Sequence, residues 1–178
     1  VDDELDLSDA PSVAELIGQE TTRKDCAVSV KSINVVLWSI RAVVIPPPIR
    51  ASIESHVATD HPNEAGGFLG CTRHERRLRA TRHVPIPNES AIPKRRFETT
   101  VDSRVPPPPR IFYHSHTSPE SISGLTRIDK RSIPESFVIV AFAPRGEILS
   151  YRGFKRSLLN WRELRVEAAP AGTQLARL

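Results

Sequence analysis

Cysteine is scarce in this chain, and its two copies, Cys26 and Cys71, are too few for a disulfide framework and form no zinc-type CxxC pair. Long apolar runs are missing as well. No stretch approaches the roughly 18 consecutive hydrophobic residues of a transmembrane helix, so no membrane span is predicted. The first nine residues include five acids, Asp2, Asp3, Glu4, Asp6 and Asp9, and no base, the reverse of a secretory signal. A reducing, cytoplasmic setting is therefore the expectation. Aromatic residues make up only 6% of the chain. They do not interleave with the basic residues, and no nucleic-acid-binding module is recognisable, so neither nucleic acid nor membrane is an expected partner.

With 178 residues, 39% of them hydrophobic, the chain is long enough for one domain with a proper core. Its net charge of +4 is unevenly placed: between Cys71 and Arg96 eight Lys or Arg stand against two Glu. Such a segment is suited to steer an acidic partner, or it forms a solvated hairpin.

Near the start, Ser12 and Glu15 have the spacing of a capping box for a short helix. The β-branched runs Ala27 to Val30 and Ile33 to Val44 predict one or two strands, closed by Pro46-Pro47-Pro48. Ile49, Ile53, His56 and Val57 recur at helical spacing, so residues 49–59 read as an amphipathic helix. Strands are predicted at Gly66 to Gly70, Arg79 to Val84, around Ile111, at Phe137 to Ala143 and at Glu147 to Phe154. Pro144-Arg145-Gly146 reads as a turn, Leu158 to Val166 as a helical turn or two, and Ala168 to Leu178 as a tail. The expected fold class is α/β (α+β), a mixed β-sheet flanked by helices. The chain divides into an N-terminal extension (1–42), a central domain (43–156) and a C-terminal helix and tail (157–178).

His114-Ser115-His116, followed thirteen residues after its second histidine by Asp129, is where the sequence reads as chemistry. Two imidazoles and a carboxylate are three of the four donors of a tetrahedral catalytic zinc site, with the fourth position left for water. Three ligands and an open position polarise a carbonyl and lower the pKa of water. In a strand, residues i and i+2 share a face, so both rings can converge on one ion while Ser115 takes the opposite side. Arg110-Ile111-Phe112-Tyr113 has the apolar, aromatic character of such a strand, led in by Pro106 to Pro109. An HxH pair also occurs by chance on ordinary strands. His56 reads as a packing residue, His61, His74 and His83 as turn or surface residues, and Cys71 as a buried, inert thiol.

Taken together, Glu64 in Pro62-Asn63-Glu64-Ala65-Gly66-Gly67, the histidine pair and Asp129 resemble the JAB/MPN (JAMM) zinc metalloprotease family, in its prokaryotic single-domain form. That resemblance covers roughly Val43 to Phe154, with Asn88 and Phe97 at an asparagine-bearing turn and a hydrophobic anchor. Thr117 stands where the family has proline, and position 124 is glycine where it has serine. Thr126-Arg127-Ile128-Asp129 restores the family's S-x-x-D spacing with threonine for serine, and Ser123 is the other candidate hydroxyl.

The resemblance implies a cytidine-deaminase-like JAB/MPN architecture and Zn²⁺ held by His114, His116 and Asp129. It further implies Glu64 as general acid and base, and Thr126 as oxyanion donor. The implied substrate is the Gly-Gly tail of a ubiquitin-like or sulfur-carrier protein, cut by a peptidase or isopeptidase. Relatives that have lost their ligands act as scaffolds, which is the alternative reading, as is a metallohydrolase for another small peptide or amide.

Overall fold

The computed structural model describes residues 40–117, 122–143, 148–158 and 160–169. The expected Ser12-capped helix, the strands predicted before residue 40, the turn at residues 144–146 and the tail beyond residue 169 lie outside the described residues.

Strand β1 (Ala42–Ile45) is buried at all four positions. The proline triplet that follows opens helix α1 (Pro47–Asp60). Proline is tolerated there because the first N–H groups of a helix have no intrahelical partner to lose. One turn apart, Ile53 and Val57 provide its buried stripe, as the spacing predicts. Strands β2 (Gly66–His74) and β3 (Arg77–Ile86) form an antiparallel hairpin whose turn places Glu75 at a positive φ of 52°. Then come β4 (Arg110–His116), the short helix α2 (Arg127–Ser132), β5 (Phe137–Phe142), β6 (Ser150–Arg156) and β7 (Trp161–Ala168).

The strands close into a barrel in the order β1-β3-β2-β4-β5-β6-β7. Closure rests on β1, which pairs in parallel with β3 on one side and β7 on the other. This barrel overturns two expectations. The sheet is closed, not the open mixed sheet of the cytidine-deaminase-like architecture, and the JAB/MPN resemblance falls with it. The deciding element is β7. Residues expected to form a C-terminal helix lie instead in a strand, hydrogen-bonded to β6 and to β1. Leu164, Glu163 and Arg162 are acceptable helix formers, but a free sheet edge on either side outweighs that local preference.

Alternation along β4 sorts its side chains. Phe112, His114 and His116 take one face, and Ile111, Tyr113 and Ser115 the other, all of them buried. The first face joins a core of Phe68, Val84, Ile86, Phe112, Leu125, Ile133, Val138, Val140 and Phe154. The second lies toward α1, whose His56 bonds Tyr113.

The register defines two ends. At one, β2 begins and β4 and β5 finish, with Gly66 opposite His114 and His116 opposite Phe142. At the other, Ala42 pairs with both Arg77 and Arg165, and Lys155 with Phe137 and Arg162.

Candidate metal centre

His114 and His116 stand on the last turn of pleat of β4, and Asp129 on the first turn of α2. Their Nε2 atoms are 3.0 Å apart. Nε2 of His114 lies 3.6 Å from Asp129 Oδ1, and Nε2 of His116 lies 3.6 Å from Asp129 Oδ2. Donors held about 2.0–2.2 Å from one tetrahedral ion stand roughly 3.3 Å from each other, so this trio fits a single Zn²⁺. A buried His-His-Asp cluster able to coordinate a metal ion is thus present.

Neighbouring groups aim the donors. His116 Nδ1 lies 2.7 Å from the Ile122 carbonyl, which accepts its proton and leaves the Nε2 lone pair facing the cluster. His114 stacks on Phe112 at 5.5 Å and 22°. Its Nδ1 is buried without a hydrogen-bond partner among the described residues. Asp129 is gripped from α2 itself, where Thr126 N donates to Oδ2 at 2.7 Å and Thr126 Oγ1 accepts from Asp129 N at 3.1 Å. The T-x-x-D spacing is therefore a complete capping box. Burial disfavours the Asp129 carboxylate, but the hydrogen bond and charge of His114 and the Thr126 contacts outweigh it, holding this acid well below its usual range. Burial lowers the His116 pKa, with the His114 charge adding to it, which favours the neutral ring. Deprotonated oxygen and nitrogen donors are what a metal requires.

Glu64 belongs to no strand, and long-range contacts hold its backbone. Its neighbour Ala65 donates to Ser115 Oγ at 2.9 Å and accepts from Ser115 N at 2.8 Å. Ser115, on the face opposite the histidines as expected, is thus the pin that sets Glu64 beside them. Asn88 Nδ2 donates to the Glu64 carbonyl at 2.9 Å and to that of Arg96 at 3.0 Å, while Asn88 Oδ1 accepts from Ser90 N and Glu98 N. The Glu64 side chain is buried, which pushes its pKa up to about 7, with the His114 charge pulling down and Asp129 pushing up. Phe97 presses on Gly66 so closely that a Cβ there would sit 2.6 Å from its ring. Glycine is what lets this aromatic close over the site.

These groups share one cleft of about 670 Å³, lined by Glu64, His114, His116, Thr126 and Asp129, with Phe68, Phe97, Phe112 and Ile133 as apolar wall. Ser123 does not line it, and Ser123 Oγ accepts from Arg152 at 3.1 Å. No protein-family model matches the chain, and no curated protein matches it at a significant level. Solved structures do match. A protein from Desulfitobacterium hafniense, solved in solution, aligns at TM-score 0.53 and 16% identity over 71% of this chain and 92% of its own. A Salinibacter ruber protein, also solved in solution, aligns at TM-score 0.47 and 18% identity, over 75% of this chain and 95% of its own. What the first of these shares with the present chain is its fold.

The structure also divides what the sequence kept together. Arg95 and Arg96 of the basic segment line the cleft, whereas Arg73, Arg76 and Arg77 stand at the other end of the barrel. His83, expected at the surface, is half-buried and shares the Tyr113 hydroxyl with His56: Nε2 of His83 lies 2.5 Å away and Nδ1 of His56 2.7 Å. Cys71, expected to be buried, is half-buried, and burial pushes its thiol up to about 12. Among the described residues no helix is long and apolar enough to cross a membrane. The role of Ile122 left no sequence signal, since it acts through its backbone carbonyl.

Proposed function

We propose that this protein is a zinc-dependent hydrolase that cleaves a peptide or isopeptide bond at the Gly-Gly tail of a ubiquitin-like or sulfur-carrier protein. The observation that carries the reading is the convergence of His114 Nε2, His116 Nε2 and the Asp129 carboxylate beside the buried carboxyl of Glu64 in one open cleft.

His114, His116 and Asp129 would hold the ion, whose chemistry when bound is to polarise a carbonyl and acidify water. Glu64 does the proton work. Its pKa near 7 lets it take a proton from the attacking water and give that proton to the departing amine. A C–O bond forms, the C–N bond breaks, and the products are an acid and an amine. The Thr126 hydroxyl accepts from Asp129 N and keeps its own proton for an oxyanion at the cleft wall. A glycine tail suits the cleft because, without side chains, it threads past Phe68, Phe97 and Phe112 in extended form. Arg95 and Arg96 suit an acidic protein body behind that tail.

The test is zinc content and cleavage of a Gly-Gly-tailed ubiquitin-like substrate, for the wild type and Glu64→Gln. One zinc per chain in both proteins, with turnover in the wild type alone, is expected. Normal turnover by Glu64→Gln removes Glu64 from the mechanism, and absence of zinc removes the hydrolase reading.

A further inference from the structure

His116 owes its aim to a carbonyl that belongs to no strand or helix. Its Nδ1 lies 2.7 Å from the oxygen of Ile122, an exposed residue of the connection between β4 and α2. A loop carbonyl orients an imidazole only as firmly as the loop itself is held. Leu125 anchors this loop by burying its side chain in the core. Next to Ile122, Ser123 Oγ accepts a hydrogen bond from Arg152 Nη1 at 3.1 Å.

Arg152, on β6, is itself fixed from β7. Its Nε and Nη2 donate to the two carboxylate oxygens of Glu163, each at 2.8 Å. Such a paired bond sets the plane of the guanidinium, and with it the direction of the third nitrogen. The strand register explains the match. Phe154 stands opposite Glu163, so Arg152, two residues before Phe154 on the same face, meets Glu163 on the diagonal. The Arg152 guanidinium also lies 5.4 Å from the centre of the Phe154 ring. The loop fits closely against this group: a Cβ on Gly124 would come within 3.3 Å of Arg152 Nη1 and 3.7 Å of the Phe154 ring. An ion pair as exposed as Arg152 and Glu163 contributes little to stability by itself. Its third nitrogen gives it another use.

We propose that Arg152 is a positioning residue for the metal centre. Glu163 aims Arg152, Arg152 holds Ser123, and the loop so held presents the Ile122 carbonyl to His116 Nδ1. The bond made by one ring nitrogen decides where the proton sits, so Nε2 is left as a free donor facing Asp129. The inference rests on the reading of His116 as a metal ligand. It also gives Ser123 a place other than the oxyanion role that the sequence offered.

The test follows the His116 ring by nitrogen NMR in the metal-free protein, at a pH where it is neutral, beside competitive zinc titration. His116→Asn assigns the signal. Wild-type protein is expected to show a single tautomer with the proton on Nδ1. Arg152→Met keeps an apolar contact with Phe154, and Ser123→Ala removes the loop contact alone. Both are expected to show mixed tautomers and to bind zinc roughly tenfold more weakly. Arg77→Met breaks a comparable bridge to Glu167, 3.2 Å long and remote from the cleft, and is expected to leave both readouts unchanged. Should Arg152→Met fail to fold, Ser123→Ala carries the test. A wild-type His116 signal or zinc affinity in the folded variants overturns the proposal, as does an equal change in Arg77→Met. A wild type that binds no zinc defeats the metal reading separately, and the metal-free His116 signal then decides whether Arg152 orients the ring.

Discussion

Thr126 and Asp129 are locked to each other twice, Thr126 N to Asp129 Oδ2 at 2.7 Å and Asp129 N to Thr126 Oγ1 at 3.1 Å. The same carboxylate that caps α2 faces both histidines, so the start of this helix and the metal centre are one structure.

Removing the Thr126 hydroxyl should therefore act twice. Thr126→Val is expected to lose about 1 kcal/mol of stability as the cap goes. It is also expected to bind zinc roughly 10-fold more weakly as the helix start that carries Asp129 loosens, Thr126 N still holding Oδ2. Thr126→Ser should restore both. Urea unfolding of the metal-free protein and competitive zinc titration measure the two effects separately; a zinc affinity unmoved in Thr126→Val would show that Asp129 does not depend on its cap.

Asn88 touches no donor of the cluster, yet it fastens the carbonyl of Glu64 to the loop that carries Arg96 and Glu98. Asn88→Ala leaves those groups without their partner and should cost roughly 1–3 kcal/mol. Cleavage is expected to fall while zinc stoichiometry stays at one, because the ligands sit on β4 and α2. Equilibrium unfolding beside metal analysis separates the outcomes, and loss of zinc would place Asn88 in the metal site's own support.

Glu64 carries a cost in the metal-free protein. Its folded pKa of about 7 exceeds the 4.5 of the unfolded chain, so the folded state holds an extra proton between these values. Stability from this group is full below pH 4.5 and is lost as pH rises through 7. Metal-free Glu64→Gln should therefore be the more stable protein at pH 8, by on the order of 2 kcal/mol. Denaturation of both proteins at pH 5 and pH 8 checks it; a difference that does not grow with pH argues against a buried, protonated Glu64.

The opposite face of β4 predicts the opposite pH trend. Burial, and then the charge of His56, lowers the His83 pKa to about 4, below the 6.5 of the unfolded chain. Here the unfolded state binds the extra proton, so stability is full above pH 6.5 and is lost as pH falls toward 4. His83→Gln keeps a partner for Tyr113 but cannot titrate there. Its unfolding free energy should vary less between pH 7.5 and pH 5 than that of the wild type; equal slopes would rule His83 out as the acid-labile group.

Much of the site was legible in the residues themselves. An HxH pair in a strand must put both rings on one face, because side chains alternate with a period of two, and β4 does so. The spacing from Thr126 to Asp129 is a local capping pattern, and α1 announces itself by Ile53 and Val57. Such features depend on neighbours a few positions away, and sequence alone determines them.

Tertiary structure decided the rest. Nothing near Trp161 says that β7 will be a strand, since its partners lie on β6 and on β1, the latter more than a hundred residues earlier in the chain. Closure therefore escaped a local reading, and a resemblance built on a few ligand positions pointed to the wrong architecture. Glu64 is set beside the histidines by long-range contacts, Ser115 gripping Ala65 across the β2–β4 pairing and Asn88 holding the Glu64 carbonyl. The basic segment reads as one block of charge, but β2 and β3 run the length of the barrel. They leave Arg76 at one end, while the loop after β3 brings Arg95 to the cleft at the other. Residue spacing fixes which way a side chain points; which strands pair is settled only when the whole chain buries its apolar faces together.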